Sequence, residues 1–178
     1  MRKPFSVLGT GIVTGLATGA IATPASAQTM SVSVEIPRLR VAEYHNPYVA
    51  IWIEDAAGKA VTNLDIWYDM DLRGDDPTKW LPDLRTWWRR TGRTLKMPVN
   101  GVSGPTQPPG RHTVNFKQGS RPLGNLRPGS YKLRVEAARE VGGREVLSVP
   151  FQWPPKGSQT ASAKGTKELG TVRLTIKP

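Results

Sequence analysis

The sequence contains no cysteine among its 178 residues and only two histidines, His45 and His112. The lack of cysteine excludes disulfides, a thiolate nucleophile, iron–sulfur clusters and cysteine-ligated zinc. Two histidines cannot form a three-histidine metal site, although the pair could bind copper, zinc or iron together with one carboxylate. Because single histidines on strands are more often hydrogen-bonded structural residues, we predict no metal site and keep His45 and His112 as its only candidates.

Long apolar runs are absent beyond residue 27, so no segment there reaches the roughly 18 residues of a transmembrane helix. The first 27 residues have a different character. They begin with the basic Met1-Arg2-Lys3, continue through uncharged apolar and small residues at 5–22, and end in the A-x-A sequence Ala25-Ser26-Ala27. This order is typical of a secretory signal peptide. We therefore predict export to the periplasm, with residues 1–27 removed and residues 28–178 forming a single domain.

Acidic residues are fewer than basic ones. The sequence has 14 Asp and Glu and 25 Lys and Arg, which gives a formal net charge of +11. Such a charge attracts nucleic acid in many proteins, but an exported protein is kept apart from it. We therefore expect no nucleic-acid partner.

The 16 prolines and 18 glycines disfavour a helical bundle and favour strands joined by turns.

Apolar patterning predicts about eight short strands and one short helix. Alternation with a period of two marks half-buried strands, whereas the continuous apolar run at 48–53 is typical of a central strand buried on both faces. Leucines and tryptophans at helical spacing predict a helix over 80–90 that caps one end of a sheet. The clearest strands are at 30–36, 48–53, 61–68, 113–117, 131–137, 145–153 and 169–176, with a proline- and glycine-rich loop at 98–110 and a flexible loop at 156–167.

This order of elements predicts an all-β, immunoglobulin-like sandwich. The predicted strands at 48–53 and 61–68 form a hairpin. In its second strand, Leu64, Ile66 and Tyr68 share one face and Trp67 lies on the other. The sequence Pro128-Gly129-Ser130-Tyr131 resembles the tyrosine corner of such sandwiches, in which the hydroxyl ties the start of a strand to the preceding turn. The pattern indicates a fold and carries no function by itself.

Two segments could bear chemistry on residue type alone. Gly101-Val-Ser103-Gly104 falls one glycine short of a nucleophile elbow and lacks its strand–turn–helix context, so a hydrolase using Ser103 with His45 or His112 is a minor alternative. Trp87-Trp88-Arg89-Arg90 could bind an anionic aromatic ligand, or its tryptophans could face the sheet while its arginines face water. Helical spacing favours the second interpretation.

The loop at 100–110 presents the Thr106 hydroxyl in a glycine- and proline-rich turn. It resembles the acceptor motif of covalently flavinylated extracytoplasmic proteins, Asp-Gly-x-Ser/Thr-Gly-Ala-Thr, through Gly101, Ser103, Gly104 and Thr106. Asn100 and Pro105 replace the Asp and the Ala of that motif. The resemblance implies that Thr106 is esterified to the phosphate of FMN by a secreted FAD:protein FMN transferase.

The mature chain from about Val34 to Trp153 also resembles a domain-of-unknown-function family of predicted periplasmic proteins (series twenty-two seventy-one). The segments that carry this resemblance are Tyr48–Glu54, Trp80–Arg89, Gly101–Gly110 and Pro128–Glu136. Such proteins tend to be encoded beside flavin transferases and PepSY-type membrane proteins, often near TonB-dependent iron uptake. The resemblance implies these partners as an association rather than as a mechanism.

Two functions follow as hypotheses. In the first, the protein is a carrier rather than an enzyme: Thr106 holds FMN, which passes electrons between a membrane reductase and a periplasmic acceptor such as ferric iron, and Arg89 or Arg90 pairs with the flavin phosphate or with an acidic partner. In the alternative, the protein is a non-catalytic periplasmic binding module with an unmodified Thr106.

The export prediction has a direct test. Cleavage after Ala27 should leave a mature protein that begins at or near Gln28, because the A-x-A site immediately precedes this residue. Mass spectrometry of protein from the periplasmic fraction measures this end. An intact Met1 in that fraction would refute the prediction.

Overall fold

The computed structural model describes residues 27–178, which form two β-sheets and a short helical segment. The predicted signal peptide lies outside the described residues except for Ala27. The first sheet has the strand order β5-β1-β9-β8 and the second has the order β4-β3-β2-β6-β7. The strands are β1 Thr29–Ile36, β2 Tyr48–Asp55, β3 Ala60–Tyr68, β4 Ser103–Pro105, β5 Gly110–Lys117, β6 Gly129–Ala138, β7 Arg144–Trp153, β8 Gln159–Lys164 and β9 Thr171–Lys177.

The main core lies between the two sheets. In β1 every second side chain is buried and its neighbours are partly exposed, so the alternating sequence covers one face of the first sheet with apolar groups. β6 supplies the facing residues Tyr131, Leu133 and Val135 from the second sheet. The all-β sandwich prediction is therefore confirmed, and so are the strands predicted at 30–36, 48–53 and 131–137.

The second sheet is buried on both of its faces. β2 lies at its centre between β3 and β6, and six consecutive residues of β2 are buried. Its outer face is covered by the helical segment, which comprises the 3-10 helix Leu81–Asp83, the α-helix α1 Arg85–Arg90 and the 3-10 helix Gly92–Thr94. The buried residues of this second core are Ala50, Trp52, Ile66, Tyr68, Leu81, Leu84, Trp87, Val102 and Ala138.

A buried carboxylate attaches the helical segment to the sheet. Glu136 of β6 is fully buried, and it accepts hydrogen bonds from the backbone N–H groups of Thr86 at 3.0 Å and Trp87 at 2.7 Å. These groups lie in the first turn of α1, where N–H groups have no partner within the helix. Arg144 of β7 donates to the same carboxylate at 2.7 Å and balances its charge.

The side chain of Trp87 completes this attachment. Its indole N–H donates to the Asn63 side-chain oxygen on β3 at 2.8 Å, and the Asn63 amide donates to the Thr91 hydroxyl at 3.1 Å. A Cβ atom on Gly92 would lie 2.6 Å from the Trp87 ring, so only glycine allows this close contact. The helical segment is thus fixed at several points of the outer face.

The structure corrects the predicted position of the helix and one strand face. The helical segment covers the outer face of the second sheet and does not cap a sheet end, because its apolar residues pack on Ala50 and Trp52. In β3, Leu64 packs between the sheets with Trp67, whereas Ile66 and Tyr68 face outward. A β-bulge explains this difference, since Ile51 pairs with Asp65 and Trp52 with Asn63, leaving Leu64 as the extra residue.

The two predicted loops each contain a strand. Within 156–167, which the sequence predicts as a flexible loop, β8 pairs antiparallel with β9, and its Ala161 and Ala163 pack against the main core. Because the inward-facing side chains of β8 are small, its sequence shows no clear alternation of apolar and polar residues, and the pattern does not predict a strand. Within 98–110, which the sequence predicts as a proline- and glycine-rich loop, β4 pairs in parallel with β3. Pro105 is tolerated because β4 is a short edge strand.

The tyrosine corner is present as predicted. The Tyr131 hydroxyl donates to the backbone oxygen of Arg127 at 2.8 Å, and its ring stacks on Phe151 with the ring centroids 5.6 Å apart. The hydroxyl therefore ties the start of β6 to the turn before it.

The hydroxyl of Tyr131 should stabilise the fold measurably. Tyr131→Phe should lower the free energy of unfolding by about 1 kcal/mol or more, because it leaves a backbone oxygen without its donor. Tyr44→Phe is the matched control, since the buried Tyr44 hydroxyl has no hydrogen-bond partner among residues 27–178. Urea unfolding measures both. Equal effects of the two substitutions would contradict the assigned role of the corner.

Candidate functional site

The predicted acceptor loop is held against the edge of the second sheet. Its turn is closed by Val99, whose backbone oxygen accepts hydrogen bonds from Val102 N–H at 3.1 Å and Ser103 N–H at 2.9 Å. Gly101 has a φ of 71°, a left-handed conformation that glycine adopts without strain. After β4, the N–H of Thr106 donates to the backbone oxygen of Tyr68 at 3.2 Å. The chain around Thr106 is thus a fixed edge of the sheet.

The two candidate hydroxyls of this loop have different surroundings. The Ser103 hydroxyl oxygen accepts a hydrogen bond from the Val99 N–H at 2.9 Å and so stabilises the turn. No hydrogen bond engages the Thr106 hydroxyl within the part of the chain that the structure describes. Thr106 is half-buried and lines a cavity. Of the two, only Thr106 combines an uncommitted hydroxyl with an adjoining space.

The cavity at Thr106, which we call the threonine cavity, has a volume of about 180 Å³. Five separate parts of the chain form it: the segment before β2 with the start of β2, the segment after β3, the start of the helical segment, the end of β6 and the loop that carries Thr106. Its lining residues are His45, Asn46, Tyr48, Asp69, Leu72, Trp80, Asp83, Thr106, Ala138 and Glu140. The loop that carries Thr106 contributes only this one residue.

The lining of the threonine cavity is acidic and aromatic. Burial raises the pKa of the Tyr48 phenol, and the nearby carboxylates of Asp69 and Glu140 raise it further, although a backbone hydrogen bond at Asp69 opposes them. His45 Nε2 lies 2.7 Å from a Glu43 oxygen, and its Nδ1 lies 3.8 Å from a Glu140 oxygen. An anionic group inside this cavity would therefore be repelled, whereas a neutral ring or a cation would not.

Arg89 and Arg90, predicted to face an anionic group or an acidic partner, do not line the threonine cavity. The Arg89 guanidinium is exposed and donates to the backbone oxygen of Arg85 at 3.1 Å. Arg90 lies 3.8 Å from the buried carboxylate of Glu54 on β2. Their pairing with a flavin phosphate stays a prediction, and their exposure leaves them accessible to a partner.

Gly104 lies on the edge strand β4, where an added Cβ would be 3.7 Å from the Trp67 ring.

The two histidines are not brought together. His112 of β5 has Nε2 2.7 Å from the backbone oxygen of Pro108 and packs edge-to-face on Trp67, with the ring centroids 5.8 Å apart. Among residues 27–178, no three side chains of metal-binding type are grouped closely enough to hold a metal ion. No hydrogen bond joins either histidine to Ser103 in that part of the chain.

Several residues of the cavity had no signal in the sequence. Helical spacing predicts Trp80 on the apolar face of a helix, but 37% of its surface is exposed and it lines the cavity. Asp69 and Glu140 belong to turn-like segments at the ends of β3 and β6 and match no motif. Their proximity to Thr106 arises from sheet order, which a single sequence does not specify.

A comparison with protein families identifies the chain. Residues 29–171 match the family described as "Predicted periplasmic protein (DUF2271)". The chain belongs to this family. The match spans β1 to β8 and ends at the first residue of β9, and the resemblance of the sequence to this family is confirmed. No curated protein and no solved structure matches the chain.

The family description agrees with the predicted periplasmic localisation of this DUF2271 protein. Among residues 27–178, no helix is long and apolar enough to cross a membrane. The family description assigns no activity, so the function must be argued from the site itself.

The different surroundings of the two hydroxyls predict different effects on stability. Ser103→Ala should lower the free energy of unfolding by about 1 kcal/mol, because it leaves the Val99 N–H without its acceptor. Thr106→Val, which keeps the side-chain shape, should change it by less than about 0.5 kcal/mol. Denaturant unfolding of both variants measures this. A larger loss in Thr106→Val would mean that its hydroxyl is structural.

Proposed function

We propose that this DUF2271 protein is a periplasmic electron carrier in which Thr106 is the attachment residue for covalent FMN. The observation that carries the proposal is the uncommitted Thr106 hydroxyl at a cavity, beside a Ser103 hydroxyl that is occupied in the turn. The resemblance of Gly101, Ser103, Gly104 and Thr106 to a flavinylation motif supports the same residue. Thr106 follows an edge strand, where a modifying enzyme can approach from the open side of β4.

The attachment is a phosphoryl transfer that a secreted FAD:protein FMN transferase would catalyse. The Thr106 Oγ1 forms a bond to the phosphorus on the flavin side of FAD. The bond from that phosphorus to the bridging oxygen breaks, and AMP leaves with the electron pair. The hydroxyl proton passes to a base of the transferase or to water. The product is a phosphodiester with one negative charge.

The residues around Thr106 fit the aromatic ring of a flavin but not its phosphate. Trp80 provides an aromatic side chain for a planar ring, whereas Asp69, Asp83 and Glu140 disfavour the phosphate inside the cavity. The phosphodiester therefore stays at the rim by Thr106. Bound there, FMN would supply reversible electron transfer, and this chain would position it and set its electrostatic surroundings.

The partners follow from this role. A PepSY-type membrane protein is the proposed electron donor or its reductase component, and a periplasmic acceptor such as ferric iron receives the electrons. The exposed Arg89 and Arg90 are the proposed contacts for an acidic partner surface. This link to iron uptake rests on the association implied by the resemblance.

A second candidate function is a non-catalytic periplasmic binding module. It is favoured by Asn100 and Pro105, the two positions at which the loop departs from the flavinylation motif. It is also favoured by the basic outer surface of the helical segment, where Arg85, Arg89 and Arg93 are exposed. In this role Thr106 would be unmodified and the basic surface would bind the partner.

Co-export with a flavin transferase tests the proposal. The protein should carry the added mass of FMN and fluoresce on a denaturing gel. Fluorescence should disappear in Thr106→Ala, because the attachment oxygen is lost, and should persist at least in part in Ser103→Ala. Thr106→Ser is the matched control, since it keeps a hydroxyl at the same position.

The contrary outcomes are equally clear. Fluorescence that survives Thr106→Ala would place the flavin elsewhere. A dark wild type beside a fluorescent Asn100→Asp, Pro105→Ala variant would show that this loop has lost its acceptor function, and the binding-module interpretation would then replace the carrier.

A further inference from the structure

The threonine cavity continues into a second cavity along the outer face of the second sheet. We call the second one the hairpin cavity, because the β6–β7 turn forms one side of it. Its volume is about 570 Å³. The two cavities share Trp80, Asp83, Ala138 and Glu140. The remaining residues of the hairpin cavity are Arg85, Arg139, Val141, Gly142, Gly143 and Arg144.

Trp80 is the aromatic residue that lines both cavities. Its surface is 37% exposed, whereas Trp52, Trp67, Trp87 and Trp153 are each at most 3% exposed. A large aromatic side chain left open beside a cavity is a common feature of ligand sites. Lys79 Nζ lies 4.8 Å from the centre of the Trp80 ring and helps to order it.

The β6–β7 turn also lines the hairpin cavity, and several contacts hold it in place. The buried Arg139 guanidinium makes two hydrogen bonds to Glu168, at 3.0 and 3.3 Å, and the same carboxylate accepts from Gly143 N–H at 2.7 Å. A Cβ on Gly142 would lie 2.4 Å from the Arg139 guanidinium carbon, so the turn packs directly on it. These contacts fix the part of the cavity lining that the turn contributes.

The tip of this turn presents an apolar side chain to the hairpin cavity. Val141 is 77% exposed and has a φ of 51°, a conformation that costs a β-branched residue energy. The hairpin cavity therefore has an aromatic wall and an apolar tip. Arg85, for which no ion pair is found among residues 27–178, provides positive charge at its edge, whereas the charge of Arg144 is balanced by Glu136.

We infer that the hairpin cavity holds the isoalloxazine ring of the flavin attached to Thr106, stacked on Trp80. The inference rests on the proposed function. Ligand pockets of drug-sized molecules measure roughly 300–1,000 Å³. The threonine cavity, at about 180 Å³, falls below this range, and the hairpin cavity, at about 570 Å³, falls within it. The ribityl chain would cross the threonine cavity, and the ring would lie beyond it.

The charges of the two cavities agree with this orientation. Asp69 contributes a carboxylate only to the threonine cavity, and Arg85 and Arg144 contribute guanidinium groups only to the hairpin cavity. The neutral ring and its carbonyl oxygens can lie beside these guanidinium groups, which donate hydrogen bonds. Trp80, which lines both cavities, lies where the ring would pass from one to the other.

Flavin fluorescence tests the inference, because an indole stacked on isoalloxazine quenches its emission. Co-exported wild type, Trp80→Ala and Trp80→Phe are compared, with Arg93→Ala as the control at an exposed position of the helical segment. Emission is read in native buffer and again after denaturation. Native wild type should be strongly quenched relative to its denatured form. Quenching should be largely lost in Trp80→Ala, reduced in Trp80→Phe and unchanged in Arg93→Ala.

The fluorescence of the denatured proteins distinguishes loss of covalent attachment at Thr106 from loss of stacking on Trp80. Equal denatured emission in all four proteins means that attachment is intact and that native differences report the ring's position. Equal native quenching in wild type and Trp80→Ala would overturn the stacking inference and leave Thr106 as the attachment residue. Wild type without covalent flavin would overturn both the proposed function and the inference. Circular dichroism confirms that Trp80→Ala is folded.

Discussion

The buried carboxylate of Glu136 is the contact on which the outer layer of this protein depends. It joins three elements, since it accepts from the first turn of α1, lies on β6 and pairs with Arg144 of β7. The carboxylate is fully buried but the Arg144 side chain is 37% exposed, so solvent screens this ion pair in part. The helical segment has only one short α-helix, which would not be stable alone. Its attachment to the sheet therefore comes from Glu136 and from the burial of Leu81, Leu84 and Trp87.

This attachment also creates the candidate site. By holding the helical segment on the outer face of the second sheet, Glu136 places Trp80 in the same cavity lining as Thr106, the residue that follows the edge strand β4. Arg144, its ion-pair partner, lines the hairpin cavity. The same contact thus stabilises the fold and shapes the space next to the uncommitted hydroxyl. The sandwich core between the sheets supports this layer without contributing to the cavities.

The sequence predicted what depends on local periodicity. Alternation in β1 and β6 and the continuous run in β2 revealed their strands, because burial follows side-chain direction along each strand. The sequence does not predict β8, because Ala161 and Ala163 bury little area. It does not predict β4 either, because this short edge strand lies in a proline-rich segment that is typical of a loop. The bulge at Leu64 depends on pairing with β2. Thr106 was found by motif, but its cavity joins segments distant in sequence, and no local pattern records their proximity.

Peptide mapping of the wild-type protein tests the central claim most directly. The protein would be co-exported with a flavin transferase, digested, and its flavin-bearing peptide sequenced by tandem mass spectrometry. The account predicts a single modified peptide from the 98–110 loop, with FMN joined through its phosphate to Thr106. FMN on Ser103 or on any residue outside this loop, or its absence from every peptide, would contradict it.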